Sequence, residues 1–236
     1  MQSRDRLIVA LDRSSRDDVL RLADDLRAAA GGFKIGLQAF VGNGPRLVQE
    51  LVQRGDKIFL DLKIHDIPNT ARSAVAAAAS LGVSMVTVHA AGGTAMLRAC
   101  ARDDVLILGV TILTSLDDGE LHRIGLRGTA VDNAVRLARL AKDCGLRGVV
   151  ASAEEIEAIR DACGPDLIIV APGVRPEGSA ADDQRRTKTP AAAIAAGADY
   201  IVVGRPITDA AKPRAAAERI IERLDASKRS STASSG

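Results

Sequence analysis

Eight short apolar runs, rich in valine and isoleucine, recur along the chain and restrict its fold more than any other feature. Between them lie longer stretches rich in alanine, leucine, arginine and aspartate, in which apolar residues recur at helical spacing. This alternation predicts a series of strand–helix units. The predicted strands are residues 7–12, 33–37, 57–63, 84–90, 105–112, 148–152, 167–173 and 200–205.

Strands that are apolar along their whole length are typical of a parallel sheet covered by helices. Eight strand–helix units in 236 residues favour a closed barrel over an open sheet, so the predicted fold is α/β, a single (β/α)8 TIM barrel. No GxGxxG follows the first strand, which weakens a dinucleotide-binding interpretation. We predict one barrel domain over residues 1–225 and a disordered, serine-rich tail over residues 226–236.

Composition and charge argue against several classes of partner. The net charge of +2 is the difference between 32 basic and 30 acidic residues, too small to indicate nucleic acid or an anionic membrane. Aromatic residues make up only 2% of the chain, which leaves few platforms for stacking bases. The N-terminal apolar run is too short for a secretory signal or a membrane span, and the cysteines lack metal-ligand spacing. We therefore expect a cytoplasmic protein without a metal site.

Polar residues interrupt the apolar runs near the carboxyl ends of the predicted strands, which surround the mouth of a barrel where its chemistry takes place. Alternation along a strand sends Asp61 and Lys63 to the same face, toward that mouth. The alternative is an ordinary ion pair at a strand end. Ionisable groups that converge on one mouth favour a catalytic site. The residues at strand ends are Asp12, Lys34, Asp61, Lys63, Asp66, Thr114, Gly204 and Arg205.

The loops after the seventh and eighth strands form the usual phosphate site of this fold. A long polar stretch over residues 175–189 follows the seventh strand, and GRPI follows the eighth. Backbone N–H groups near Gly204, the guanidinium of Arg205 and polar groups of the long loop would bind a phosphate dianion. The alternative is a solvated loop with scattered arginines. The three histidines lack partners at nucleophile or metal spacing, which favours packing or hydrogen-bonding roles.

The segment DLKIHDIPNT, taken with LIVALD, FKIGL, VTVHA, VTILTS, APGVRPEGSAADDQRR and IVVGRPI, resembles the bacterial orotidine 5'-phosphate decarboxylases. The DxKxxD core over residues 61–66 also occurs in a wider barrel suprafamily, whereas the whole set of segments is highly specific. The resemblance implies cofactor-free conversion of orotidine 5'-monophosphate to UMP and carbon dioxide in pyrimidine biosynthesis.

The same resemblance implies the catalytic residues. Lys63 would donate a proton to C6 of the pyrimidine, within an alternating charge array formed by Lys34, Asp61, Lys63 and Asp66. Asp66 and Thr70 would reach into the site of a neighbouring subunit, so the active form would be a homodimer.

It also implies the residues that hold the substrate. Asp12 and Lys34 would hold the ribose hydroxyls, and Thr114 would lie near the pyrimidine. The phosphate would be bound by Arg175, Gln184 and Arg205. The full substrate-binding set is Asp12, Lys34, Asp61, Ile67, Thr70, Thr114, Arg175, Gln184, Gly204 and Arg205.

The chemistry of decarboxylation agrees with these assignments. Loss of carbon dioxide from C6 leaves a carbanion that the ring does not delocalise easily, and a fixed ammonium group can stabilise it and then supply a proton. One rival is a Mg²⁺-dependent keto-sugar-phosphate decarboxylase or aldolase, in which a carboxylate stands where Lys34 stands here. An ammonium group repels Mg²⁺. Another rival is a phosphate-ligand sensor without catalysis, for which clustered charges would be only an electrostatic cost.

Overall fold

The computed structural model describes residues 1–176 and 188–233, and in these ranges eight parallel strands close into a barrel. The order of strands around the barrel is their order along the chain, and the first strand pairs with the last. The predicted single (β/α)8 barrel is confirmed. The strands are β1 (Leu7–Ala10), β2 (Gly32–Gly36), β3 (Ile58–Ile64), β4 (Met85–His89), β5 (Leu106–Val110), β6 (Gly148–Val150), β7 (Ile168–Pro172) and β8 (Tyr200–Val203).

Helices connect successive strands and cover the barrel. Some begin with side-chain caps, as at Thr129, which forms a capping box with Asp132. Within the described ranges, no helix is both long and apolar enough to cross a lipid bilayer. The helices there are α1 (Ser3–Arg6), α2 (Arg16–Leu26), α3 (Leu37–Gln53), α4 (Pro68–Ser80), α5 (Gly93–Cys100), α6 (Asp118–Arg123), α7 (Ala130–Asp143), α8 (Ile156–Cys163), α9 (Pro190–Ala195), α10 (Arg205–Thr208) and α11 (Pro213–Ala233).

The last helix corrects the prediction of a disordered tail over residues 226–236. Helix α11 continues to Ala233, so residues 226–233 are helical, and residues 234–236 lie outside the described part. Each residue added to an existing helix gains a hydrogen bond, and no glycine or proline interrupts the chain after Pro213 until Gly236. The hydroxyl of Ser227 also donates to the carbonyl of Arg223 at 3.0 Å. Loss of apolar periodicity was therefore not enough to end the helix.

Side-chain alternation along the strands separates two apolar regions. Leu7 and Val9 of β1 point outward and pack beneath the helices, whereas the alternate residues fill the inside of the barrel. Two residues beyond Ala10 and Phe59, alternation places Asp12 and Asp61 on the same inward face. The next layer of side chains toward the mouth is therefore polar. The inner apolar residues are Ile8, Ala10, Phe59, Leu108, Val110, Val150, Val170 and Val202.

Candidate active site

A cavity of about 610 Å³ opens at the carboxyl ends of the strands. Its size suits a small molecule. Apolar residues of the barrel interior, including Phe59 and Val202, form its floor, and most of the predicted site residues line it. The polar and glycine residues that line the cavity are Asp12, Arg13, Lys34, Gln38, Asp61, Lys63, Thr114, Gly173, Arg175, Gly204, Arg205 and Thr208.

Four charged side chains from three neighbouring strands form a continuous row in this cavity. Lys34 Nζ lies 2.9 Å from Asp12 Oδ1 and 3.8 Å from Asp61 Oδ2. Lys63 Nζ lies 2.8 Å from the same Asp61 oxygen. The side chains of Lys34 and Asp61 are only 12% and 11% exposed, so these charges interact more strongly than a solvated pair. Asp61 and Lys63 thus belong to a partly buried network of charges, not to an isolated surface ion pair.

The backbone at Lys63 departs from regular strand geometry. Lys63 has φ +51°, and among the described residues it is the one residue other than glycine with positive φ. The pairing of β3 with β4 shifts register between Leu60 and Ile64. The left-handed backbone conformation is unfavourable by on the order of 1–2 kcal/mol for a residue other than glycine. Contacts with surrounding residues must therefore stabilise it at Lys63. Alternation correctly predicted a shared face for Asp61 and Lys63, but it did not predict this bulge.

Thr87 supplies such a contact from the adjacent strand. Its hydroxyl accepts a hydrogen bond from the Lys63 backbone N–H at 2.9 Å and donates one to Asp61 Oδ1 at 3.0 Å. Thr87 is fully buried and lies beside the cavity, not on its surface. Our sequence reasoning missed this residue. The available signal was a polar side chain at an inward-facing position in the middle of a strand, between two valines.

Gly36, at the end of β2, leaves space for the row of charges. A Cβ atom at this position would lie 2.6 Å from Lys34 Nζ and 3.0 Å from Asp12 Oδ1. Both distances are shorter than ordinary van der Waals contacts. Any larger residue at position 36 would therefore displace the ammonium group from Asp12. Sequence reasoning had treated this glycine only as part of a strand.

Arginines also line the cavity. Arg205 begins helix α10, and Arg175 follows β7, where its backbone N–H donates to the carbonyl of Lys188 at 3.1 Å. Arg13 was not predicted, although it follows Asp12 directly. The Arg13 guanidinium donates a hydrogen bond to the carbonyl of Thr208 at 3.0 Å and forms an ion pair with the carboxylate of Asp209. Gln184, predicted to bind phosphate, lies outside the described residues.

Three predicted site residues do not line the cavity of their own chain: Asp66, Ile67 and Thr70. All three are exposed, and the Ile67 side chain is left 67% accessible. The carboxylate of Asp66 accepts a hydrogen bond from the Ile67 N–H at 2.7 Å. In the described part of the chain, no ion pair joins Asp66 to Lys63. The single chain thus brings together Lys34, Asp61 and Lys63 of the predicted array, but not Asp66.

Two histidines pack against each other near the charged row. The ring centroids of His65 and His89 lie 5.4 Å apart, with the ring planes tilted by 38°. Burial lowers the pKa of His89, and the charges of His65 and Lys63 lower it further. His89 is therefore neutral at neutral pH. Neither ring lines the cavity.

The chain is similar in sequence to a known family of enzymes. The profile of the family described as "Orotidine 5'-phosphate decarboxylase / HUMPS family" matches residues 5–220. The chain belongs to this family. It is 48% identical over 225 residues to the orotidine 5'-phosphate decarboxylase of Sodalis glossinidius (strain morsitans), covering 92% of this chain and 89% of that protein. It is 47% identical over 237 residues to the enzyme of the same name from Moorella thermoacetica, covering 95% and 94%.

A solved structure shares the fold of this orotidine 5'-phosphate decarboxylase family member. The crystal structure of orotidine 5'-phosphate decarboxylase from Lactobacillus acidophilus matches it with a TM-score of 0.82 and 35% sequence identity. The match covers 92% of this chain and 98% of the other. The resemblance found in the sequence segments is thus confirmed over most of the chain.

Within residues 1–176 and 188–233, no group of three or more histidine, cysteine, aspartate or glutamate side chains is arranged to hold a metal ion. In this member of the orotidine 5'-phosphate decarboxylase family, the aspartates of the cavity are contacted by lysine ammonium groups instead. The Lys34 ammonium lies between Asp12 and Asp61, 2.9 Å and 3.8 Å from their nearest carboxylate oxygens.

Proposed function

We propose that this chain decarboxylates orotidine 5'-monophosphate to UMP and carbon dioxide without a cofactor, and that Lys63 protonates C6. The observation that carries the proposal is the partly buried row of Lys34, Asp61 and Lys63, placed in a cavity that also presents arginines. The similar proteins from Sodalis glossinidius and Moorella thermoacetica are named orotidine 5'-phosphate decarboxylase, which supports this substrate.

In the proposed reaction, the bond between C6 and the carboxylate breaks and its electron pair remains on C6. Carbon dioxide leaves, and the Lys63 ammonium transfers a proton to C6. Asp61, 2.8 Å from Lys63 Nζ, holds the ammonium in place before the reaction begins. Because the charge is fixed in advance, little reorganisation is needed as negative charge develops on C6. Lysine then regains its proton from solvent.

The remaining residues of the cavity would bind the parts of the substrate that do not react. Asp12 and Lys34 offer an acceptor and a donor to the ribose hydroxyls, and Thr114 lies on the wall proposed to face the pyrimidine. Arg175 and Arg205, with Gly204 and Gln184, would bind the phosphate dianion. A guanidinium group can donate two parallel hydrogen bonds to phosphate oxygens.

We also propose that the active form is a homodimer in which Asp66, Ile67 and Thr70 complete the neighbouring site. All three are exposed at the mouth of the barrel, where they do not reach the cavity of their own chain. Large apolar side chains are exposed near the same ends of neighbouring strands, including Val41 at 79% and Leu37 at 52%. Apolar side chains that form a contiguous exposed patch are typical of protein interfaces, and a dimer contact at this end of the barrel would cover these two.

The cysteines favour a reducing compartment, and we propose the cytoplasm. Cys100, Cys144 and Cys163 are all buried and carry free thiols. Burial raises the pKa of the Cys100 and Cys163 thiols, which makes them less reactive. Small buried thiols of this kind act as apolar packing groups.

Purified protein should decarboxylate orotidine 5'-monophosphate equally well with and without EDTA, because Lys34 occupies the space between the two aspartates. The loss of ultraviolet absorbance of the substrate measures the rate. Extensive dialysis against the chelator and readdition of Mg²⁺ serve as controls. Activity that EDTA abolishes and Mg²⁺ restores would instead support a metal-dependent member of the suprafamily.

Mixing inactive Lys63→Ala protein with inactive Asp66→Ala protein should restore activity, up to about one quarter of the wild-type level. A heterodimer with shared sites contains one site free of both changes, and random exchange converts half of the dimers to heterodimers. Subunit exchange is followed independently by mass spectrometry of differently labelled chains. Exchange without recovery of activity would contradict the shared site.

A further inference from the structure

We infer that Thr87 is a positioning residue for the proposed decarboxylation: its hydroxyl orients the Asp61 carboxylate and fixes the backbone of Lys63. The inference rests on the proposed function and adds a residue from β4 to the site. Thr87 does not line the cavity, so it would act through Asp61 and Lys63 and not by touching substrate.

The first contact selects the orientation of Asp61. Thr87 Oγ1 donates its proton to Asp61 Oδ1 at 3.0 Å, and the other carboxylate oxygen, Oδ2, is left for the lysines. Lys63 Nζ and Lys34 Nζ lie 2.8 Å and 3.8 Å from that second oxygen. Without the hydroxyl, the carboxylate could rotate about its χ2 torsion, which is a soft torsion for aspartate. Both ammonium groups would then lose a fixed partner.

The second contact stabilises the bulge at Lys63. The shift in register between β3 and β4 takes the Lys63 N–H out of the regular ladder of strand hydrogen bonds. Thr87 Oγ1 accepts from this N–H at 2.9 Å. An unpaired N–H in this partly buried place would be unfavourable, and the positive φ of Lys63 is unfavourable already. One hydroxyl therefore satisfies the backbone and the carboxylate of the same bulge.

Valine has nearly the same shape as threonine but can make neither hydrogen bond. Thr87→Val should therefore lower kcat for orotidine 5'-monophosphate, and a fall of about 10- to 100-fold is expected from a small displacement of the reacting group. The KM should change by less than about threefold, because Thr87 does not line the cavity and Lys34 keeps its contact with Asp12.

The experiment compares Thr87→Val, Thr87→Ser and Thr87→Ala with the wild type. Thr111→Val is the matched control: Thr111 is also a buried threonine, and its hydroxyl donates to the Val150 carbonyl at 3.0 Å, away from the charged row. We expect low kcat for the valine and alanine variants, nearly full kcat for the serine variant, and nearly full kcat for the control. Thermal unfolding of each protein shows that it is folded at the assay temperature.

Full kcat in Thr87→Val or Thr87→Ala would overturn the inference. So would a serine variant as slow as the alanine variant, or a control that loses as much activity as Thr87→Val. If the valine variant does not fold, the comparison of serine with alanine still isolates the hydroxyl. An inactive wild-type protein would be a different result, since it would reject the proposed function and this inference with it.

Discussion

Replacing Lys63 by alanine should lower kcat for orotidine 5'-monophosphate by roughly four orders of magnitude or more, while the dissociation constant of UMP changes less than about tenfold. A general acid contributes on the order of 10²–10⁴ and a fixed charge at the reacting atom on the order of 10²–10³, and Lys63 would supply both. The Lys34 ammonium remains, but it is 3.8 Å from Asp61 Oδ2 and is also held by Asp12. It cannot take the place of Lys63 at C6.

Lys57→Ala is a matched control for this prediction. Lys57 is an exposed lysine that immediately precedes the same strand, β3, at the opposite end of the barrel from the cavity. Its removal changes the net charge of the protein by the same amount and should leave kcat within about twofold. Single-turnover assays, with UMP binding measured by titration, separate chemistry from binding. A Lys63→Ala protein that retains more than about one hundredth of wild-type kcat would contradict the role given to Lys63.

Replacing Arg205 by alanine should lower kcat/KM for orotidine 5'-monophosphate by about 30- to 1,000-fold, which corresponds to roughly 2–4 kcal/mol for a charge-assisted contact to phosphate. Much of this loss should appear as a higher KM, because the phosphate does not take part in the reaction. Gln184→Ala should cost less, on the order of 0.5–1.5 kcal/mol for a neutral hydrogen bond. Arg205 lines the cavity at the start of α10.

The nucleoside orotidine, which lacks the phosphate, provides the decisive comparison. It should be a very poor substrate of the wild type, and Arg205→Ala should slow its turnover hardly at all, because the group that Arg205 binds is already missing. Arg214→Ala, which removes an arginine paired with Glu218 on the surface of α11, controls for the change in charge. Equal losses with orotidine and with the phosphorylated substrate would show that Arg205 does not bind the phosphate.

The amino-acid sequence was sufficient to predict the barrel and most of the cavity. Apolar periodicity is a local property, so it located the eight strands to within a few residues of their observed bounds. In a parallel barrel, all strands end at one mouth, and an inward-facing residue in the last part of a strand or just beyond it lies there. This is why Asp12, Lys34 and Asp61 could be placed together before the structure was known, as could Thr114 and Arg205 on other walls.

The serine-rich C-terminal segment shows a limit of local patterns. Its composition and lack of apolar periodicity predicted disorder, yet helix α11 extends to Ala233. Helix continuation depends on the turns already formed before a segment, and these are stabilised where Ile220 and Leu224 pack into the core. The pattern of the segment itself carries no information about that packing.

The tertiary structure alone decided how the charged row is held. The left-handed backbone of Lys63 depends on the shifted register between β3 and β4, and its N–H is bound by Thr87, which lies 24 residues away in sequence. The outward position of Asp66 likewise follows from the path of the chain into α4. Periodicity determines which face of a strand a residue occupies. The atoms that it meets there depend on register between strands distant in sequence, and that register is determined by packing of the whole barrel.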